Sequence, residues 1–228
     1  MTSKKISLAD KCYMCNSLST TKEHVPPKAF FPKGYRKNLW RVESCSAHNN
    51  DNSLDVEYAS ACIVNAMEST GDALEENQRK VLRAYERKPG FFWGSINDFR
   101  PLRLTDGDMT ATFRVDLQRF NSVMNAIAFG VYRYFEGKNY ERGWTIFNPD
   151  LHSFDSTYRG RRDRRESIIS ALDAMSFIEN RVPEPDVFQC GVHRFDDGSV
   201  VYKFNFYNGF TVYAVDRFIY EIMTYGRL

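Results

Sequence analysis

The sequence predicts an α+β protein in two parts. A small zinc-stapled module spans residues 1–65, and a larger part, residues 66–228, combines helices with an antiparallel sheet. Three observations predict this. Near the start, Cys12-x-x-Cys15 and Cys45-x-x-His48 stand at metal-ligand spacing. Leu117, Phe120, Met124, Ile127, Val131 and Phe135 recur at three- and four-residue steps, the period of a helix face. The tail carries alternating apolar runs split by Asp197-Gly198 and Asn208-Gly209, both hairpin turn signals.

The elements follow in order. The first 58 residues are rich in Lys, Asn, Ser, Pro and Cys and have few long apolar runs. Such a segment buries too little to fold unaided, and small modules of this kind lean on a metal. From Asp55 to Tyr85 the pattern is helical, with Val56, Ala59, Ile63, Ala66 and Met67 on one face. "GFFWGSINDFRP" reads as a loop, punctuated by Gly90, Gly94 and Pro101. Met109 to Val115 alternates as a strand. The clearest helix starts after Asp116, a good N-cap, and stops at Gly137. "GWTIF" is a short strand, and a further helix is expected over Ser167 to Ile178, ended by Pro183 and Pro185. "VFQCGVHRF", "SVVYKFNFY" and "FTVYAV" form the closing meander.

Composition sets limits. Of 228 residues, 43% are hydrophobic and 15% aromatic, enough for a core, so global disorder is excluded. A net charge of +2 does not by itself announce a nucleic-acid binder. "MTSKKISLAD" has no apolar signal-peptide core, and no apolar run nears the roughly 18–20 residues of a membrane span. A cytoplasmic protein is expected, with no membrane partner. There its five cysteines stay reduced, so the C-x-x-C is a metal or redox motif rather than part of a disulfide frame.

Cys12, Cys15, Cys45 and His48 together supply four N/S ligands, the number that closes a structural tetrahedral Zn2+ site. The competing reading is a redox pair, which belongs between a strand and a helix, and nothing around Cys12 suggests that setting. Cys62 and Cys190 lie in apolar patterns and read as plain buried cysteines. Between the two ligand pairs sits "TKEHVPPKAF", and Asn49 follows His48 directly. Four ligands on one ion would draw Glu23, His24 and Asn49 together.

In this order, "C-x-x-C … EHVPP … C-x-x-HN" resembles an HNH endonuclease of the zinc-bearing ββα-metal type, similar in layout to the phage Holliday-junction resolvases of the endonuclease VII kind. It also resembles a group of bacterial proteins with "EHV-P" followed by "C-x-x-CN…S-x-D-E-Y", matched here by Ser53, Asp55, Glu57 and Tyr58. The resemblance covers residues 1–58. It implies that His24 is the general base on a water, and that Glu23 and Asn49 hold a catalytic Mg2+ or Mn2+. It also implies that Cys12, Cys15, Cys45 and His48 hold structural Zn2+, with His48 where most relatives carry Cys. Asn38 is the nearest counterpart of the family's middle Asn, displaced upstream from the usual spacing.

The chemistry fits the residues. A neutral imidazole, with an ordinary pKa near 6.5, takes a proton from water around pH 7. A carboxylate and an amide oxygen are hard ligands suited to one such cation. Taken singly, each feature has a plainer reading: a surface Glu-His dipeptide, an Asn that caps a helix, and Asp55 and Glu57 as first-turn helix residues. Lys22, Lys28, Lys33, Arg36, Lys37 and Arg41, with Tyr35 and Trp40 among them, suit phosphate contacts or a solvated face. "YRGRRDRR" is a second cationic run, partly neutralised by Asp155, Asp163 and Glu166; His152 and His193 have no ligand-spaced neighbours.

The expectation is therefore a metal-dependent endonuclease acting on DNA, in phage defence or mobile-element biology, with homodimerisation or a regulatory protein partner served by residues 66–228. The alternative is a non-catalytic, zinc-stabilised module that binds nucleic acid or protein.

Overall fold

The computed structural model describes residues 10–15, 17–50, 53–66, 68–87, 97–103, 107, 109–149, 151 and 159–226. Of residues 50, 53, 84–85, 97–99, 102, 109–111 and 159–165 it describes the backbone alone. The chain is mixed α+β, with a five-stranded antiparallel sheet as its largest element. His152, Met67, the loop through 88–96 and the side chains of the "YRGRRDRR" run lie outside the described residues.

The first part opens with a hairpin. Strand β1, Thr21–Val25, pairs antiparallel with β2, Trp40–Ser44, in unbroken register from Thr21↔Ser44 to Val25↔Trp40. Helix α1, Ser46–Asn50, follows at once. The connection between the strands is pinned from beneath. The carbonyl of Ala29 accepts from Ser60 (3.2 Å) and Lys80 (3.0 Å), and that of Phe30 accepts from Asn77 (3.4 Å) and from the Tyr207 hydroxyl.

The expected helix from Asp55 to Tyr85 is two helices, α2 at Ser53–Val64 and α3 at Asp72–Arg87. Between them Gly71 takes a φ of 100°, a backbone state few other residues tolerate, and Thr70 donates to the carbonyl of Tyr207 (2.8 Å). The loop expected over residues 90–101 gives way at its end to β3, Asn97–Arg103, which pairs with β4, Met109–Arg114, across an irregular register between Asn97 and Arg100. Pro101 is compatible with this because a two-stranded ribbon leaves each strand an edge.

Helix α4, Leu117–Glu136, has the expected ends. The Asp116 carboxylate accepts from the amides of Gln118 and Arg119 (3.1 and 3.2 Å), and Gly137 caps the far end at a φ of 66°. Phe120, Met124, Ile127 and Val131 are buried. The α4 backbone passes close to the hairpin at Gly130, where a Cβ would stand 2.5 Å from a Val25 methyl.

The five-stranded sheet has the order β5-β9-β8-β7-β6, with β5 Trp144–Phe147, β6 Ile178–Asn180, β7 Phe188–Arg194, β8 Val200–Phe206 and β9 Phe210–Asp216. The meander is as expected. Its last turn has positive φ at Tyr207 and Asn208, while Gly209 is required by the close approach of the Glu68 carbonyl. Helix α5 corrects the sequence expectation: it runs Arg159–Asp173, starting inside the basic run. Ile178 belongs to β6, because pairing with Val192 outweighs local helix preference. A closing helix not anticipated from the sequence, α6 at Arg217–Tyr225, is capped by Asp216 and ends at Gly226.

One cluster of buried side chains joins the hairpin to the sheet. It takes in Cys12, Tyr13, Val25, Phe30, Trp40 and Val42 together with Phe120, Met124, Phe188, Phe204 and Phe210. No helix among the described residues is long and apolar enough to cross a membrane.

Candidate metal centre and the hairpin beside it

The first cysteine pair lies in a tight turn before β1. Cys12 N–H donates to Ser17 O (2.9 Å), and Lys11 bridges Leu18. The second pair follows β2: Cys45 comes directly after the strand and His48 sits in the first turn of α1, where Asn49 N–H returns to Cys45 O (3.1 Å). The ligand atoms of Cys12, Cys15, Cys45 and His48 all lie within 4.8 Å of one another. His48 Nδ1 stands 3.4, 3.5 and 3.3 Å from the sulfurs of Cys12, Cys15 and Cys45, and the sulfurs of Cys15 and Cys45 are 3.9 Å apart. With Zn–S near 2.3 Å and Zn–N near 2.0–2.1 Å, a tetrahedral site has S···N edges of about 3.5 Å and S···S edges of about 3.8 Å. The four residues therefore have the ligand types and spacing to hold a zinc ion. Among the described residues no second group of three or more His, Cys, Asp or Glu side chains converges in this way.

The hairpin places the other candidates around this centre. In a strand, successive side chains face opposite sides. Thr21, Glu23 and Val25 therefore point to the side covered by α1 and α4, and Lys22 and His24 to the other. Asn49 Nδ2 donates to Thr21 Oγ1 (2.8 Å), so Asn49 and Glu23 share a side, and the Asn49 amide oxygen is the atom left for a cation. Burial pushes the Glu23 carboxyl up to about 7, against a backbone hydrogen bond from His24 that lowers it. Burial first, then the Glu23 carboxylate and the Cys12 and Cys45 sulfurs, hold the Tyr13 phenol above its ordinary value, which puts Glu23 beside the knuckle.

His24 stands on the opposite side with its cross-strand partner, Arg41, whose Nε donates to His24 Nε2 (2.9 Å). Burial, then the charges of Lys28 and Arg41, depress its pKa to about 4. The ring is thus neutral at pH 7 with its lone pair on Nε2. Asn38 lies in the connection, exposed, at a φ of 56° just before β2.

The six candidate cations do not form one patch. Lys22 pairs with Glu43 (2.9 Å) on the His24 side. Lys28 and Arg41 act on His24 itself. Arg36 donates to the Phe31 carbonyl (2.9 Å), and the backbone of Lys37 donates to Glu184 (2.9 Å). Lys33 is exposed in the connection.

Asp55 is paired to Arg119 (2.6 Å), whose guanidinium lies 4.4 Å from the Tyr58 ring centre; Tyr58 OH accepts from Asp116 N–H (2.7 Å). These residues fasten α2 to the start of α4. Cys62 and Cys190 are buried, and burial pushes both thiols up to about 12, so they are inert. His193 bonds the Ser176 carbonyl (2.8 Å) beside Phe177 and Phe195.

Two contacts were not anticipated from the sequence. The pairing of Arg41 with His24 depends on strand register, and Asn139, beyond α4, donates from Nδ2 to the carbonyls of Cys12 (2.8 Å) and Cys15 (3.5 Å). Comparisons with protein-family models, curated proteins and solved structures return no match.

Proposed function

We propose that the chain is a divalent-cation-dependent endonuclease of the HNH type that hydrolyses DNA phosphodiesters, with His24 as general base and Zn2+ as a structural ion on Cys12, Cys15, Cys45 and His48. The observation that carries this reading is the neutral imidazole of His24 with the Arg41 guanidinium at its Nε2 and Lys28 nearby. It sits next in sequence to a half-buried carboxylate on a strand bracketed by the zinc ligands.

The chemistry runs from these groups. Arg41 donates to a neutral ring nitrogen, a weaker acceptor than a phosphate oxygen. A phosphodiester arriving at Arg41 and Lys28 takes over the guanidinium and leaves Nε2 to a water. Its negative charge also offsets the two cations that weaken the base, so the proton affinity of His24 rises as substrate binds. Nε2 would then accept the water's proton as the water oxygen bonds to phosphorus and the bond from phosphorus to the leaving sugar oxygen breaks. Glu23 and the Asn49 amide oxygen are the hard donors that would hold a Mg2+-class ion. Such an ion would favour the ionised form of Glu23 and would add positive charge on the far side of the hairpin from His24.

A binding-only module is the second reading, favoured by strand alternation, which turns Glu23 and His24 to opposite sides of the hairpin. Incubating the purified chain with plasmid, linear duplex, single-stranded DNA and RNA, in Mg2+, Mn2+ or chelator, separates the two. Cleavage dependent on added cation supports the nuclease. Retarded mobility of nucleic acid without cleavage in any cation supports the binding module.

A further inference from the structure

We propose that Asn139 is a positioning residue for the metal centre, so that the larger part of the chain sets how firmly Cys12, Cys15, Cys45 and His48 hold their ion. The proposal rests on the zinc reading of those four residues and is independent of nuclease activity.

The amide of Asn139 reaches both carbonyls of the C-x-x-C pair, at 2.8 and 3.5 Å, from 127 and 124 residues away in sequence. Holding the carbonyls of Cys12 and Cys15 constrains the backbone from which their Cα–Cβ bonds project, and so the space each sulfur reaches through its χ1 rotamers. Cys12 is fully buried, whereas Cys15 is partly exposed and is the sulfur most open to exchange with solvent. The amide oxygen of Asn139 is buried with no partner among the described residues, so its donor side makes this side chain's polar contribution.

Asn139 is itself held from both directions. Before it, Gly137 closes α4, with its N–H on the Arg133 carbonyl (3.0 Å). After it, the Tyr140 hydroxyl donates to the buried Asp216 carboxylate, and the Tyr140 ring stacks on Trp144 at 4.2 Å. Asp216 ends β9 and caps α6. The chain of contacts from sheet to knuckle is continuous: Asp216, Tyr140, Asn139, then Cys12 and Cys15. Partners that hydrogen-bond the ligating side chains themselves typically change metal affinity by about 10- to 100-fold when removed, and a partner holding the ligands' carbonyls acts in the same direction.

The test uses the full chain loaded with Zn2+, with release to a chromogenic chelator read for wild type, Asn139→Ala and Asn139→Asp. The aspartate keeps the side-chain volume and replaces the donor with an acceptor. Release is expected to be about 10- to 100-fold faster in both variants, and the Co2+-substituted forms should show altered ligand-field bands. The rise in melting temperature on adding zinc should also shrink. A purely structural role would lower metal-free and zinc-bound forms equally and leave that rise intact. Wild-type release rates, or an unchanged zinc-dependent rise, overturn the proposal. Wild type holding no zinc by elemental analysis overturns the zinc reading and the proposal with it.

Discussion

His24 and Glu23 are neighbours in sequence with opposite titration shifts. The ring, depressed to about 4 from 6.5, resists protonation in the folded state. The carboxyl, raised to about 7 from 4.5, resists ionisation. Between pH 4 and 6.5 the unfolded chain binds more protons at His24, so this group adds stability as pH rises. Between pH 4.5 and 7 the folded chain binds more protons at Glu23, so this group removes stability as pH rises. Glu23→Gln should therefore gain stability relative to wild type progressively from pH 5 to pH 7.5, seen as a growing difference in urea midpoint. A constant difference would mean that Glu23 titrates normally. Arg41→Ala should raise the His24 pKa towards 6.5 in an NMR titration of the ring, because one of two opposing charges is gone. Part of this was legible beforehand: the identities of His24 and Glu23 follow from the dipeptide and its bracket of ligands. Their strengths were not, because Arg41 meets His24 through a cross-strand register that a long connection leaves open.

Among the elements, the hairpin stands on the Cys12, Cys15, Cys45 and His48 cluster and packs on α4. Chelation of zinc should lower the melting temperature and loosen β1 and β2 first, with hydrogen exchange at residues 21–25 and 40–44 rising before exchange in β7–β9. Uniform exchange would mean that the hairpin stands without metal. Gly130→Ala places a methyl against Val25. Overpacking of this kind costs about 1–3 kcal/mol, against a gain in helix propensity of about 1 kcal/mol, so a net loss is expected. Adding Val25→Ala should remove the clash, and the double variant should lose less than the two single losses combined. Helix α4 and the meander were readable because their signals are local: Asp116, Gly137, the apolar face, and two turn pairs. The break at Gly71 was not, since it goes with the contact of Thr70 with Tyr207 far along the chain; nor was the end of α5 ahead of β6, where Ile178 pairs with Val192. Helix α6 has a local signal in Asp216, Gly226 and the spacing of Ile219, Ile222 and Met223.

Across the whole molecule, one buried cluster takes in Cys12 and Trp40 together with Phe204 and Phe210. Trp40 itself packs on Tyr134, Phe135 and Phe188, from helix and sheet. Zinc-bound protein should therefore unfold in urea in one transition, with Trp fluorescence and far-UV circular dichroism coincident; separated transitions would mean two autonomous parts. On the proposed reading, a histidine kept neutral beside two cations is the base of a nuclease. The measurement that bears on it most directly is nicking of supercoiled plasmid in Mg2+ or Mn2+ by wild type and by His24→Ala, both loaded with zinc. Nicking by wild type and its loss in His24→Ala are expected, with both proteins still folded. Equal nicking by the two, or zinc-loaded wild type that binds plasmid in either cation and never cuts it, would contradict it.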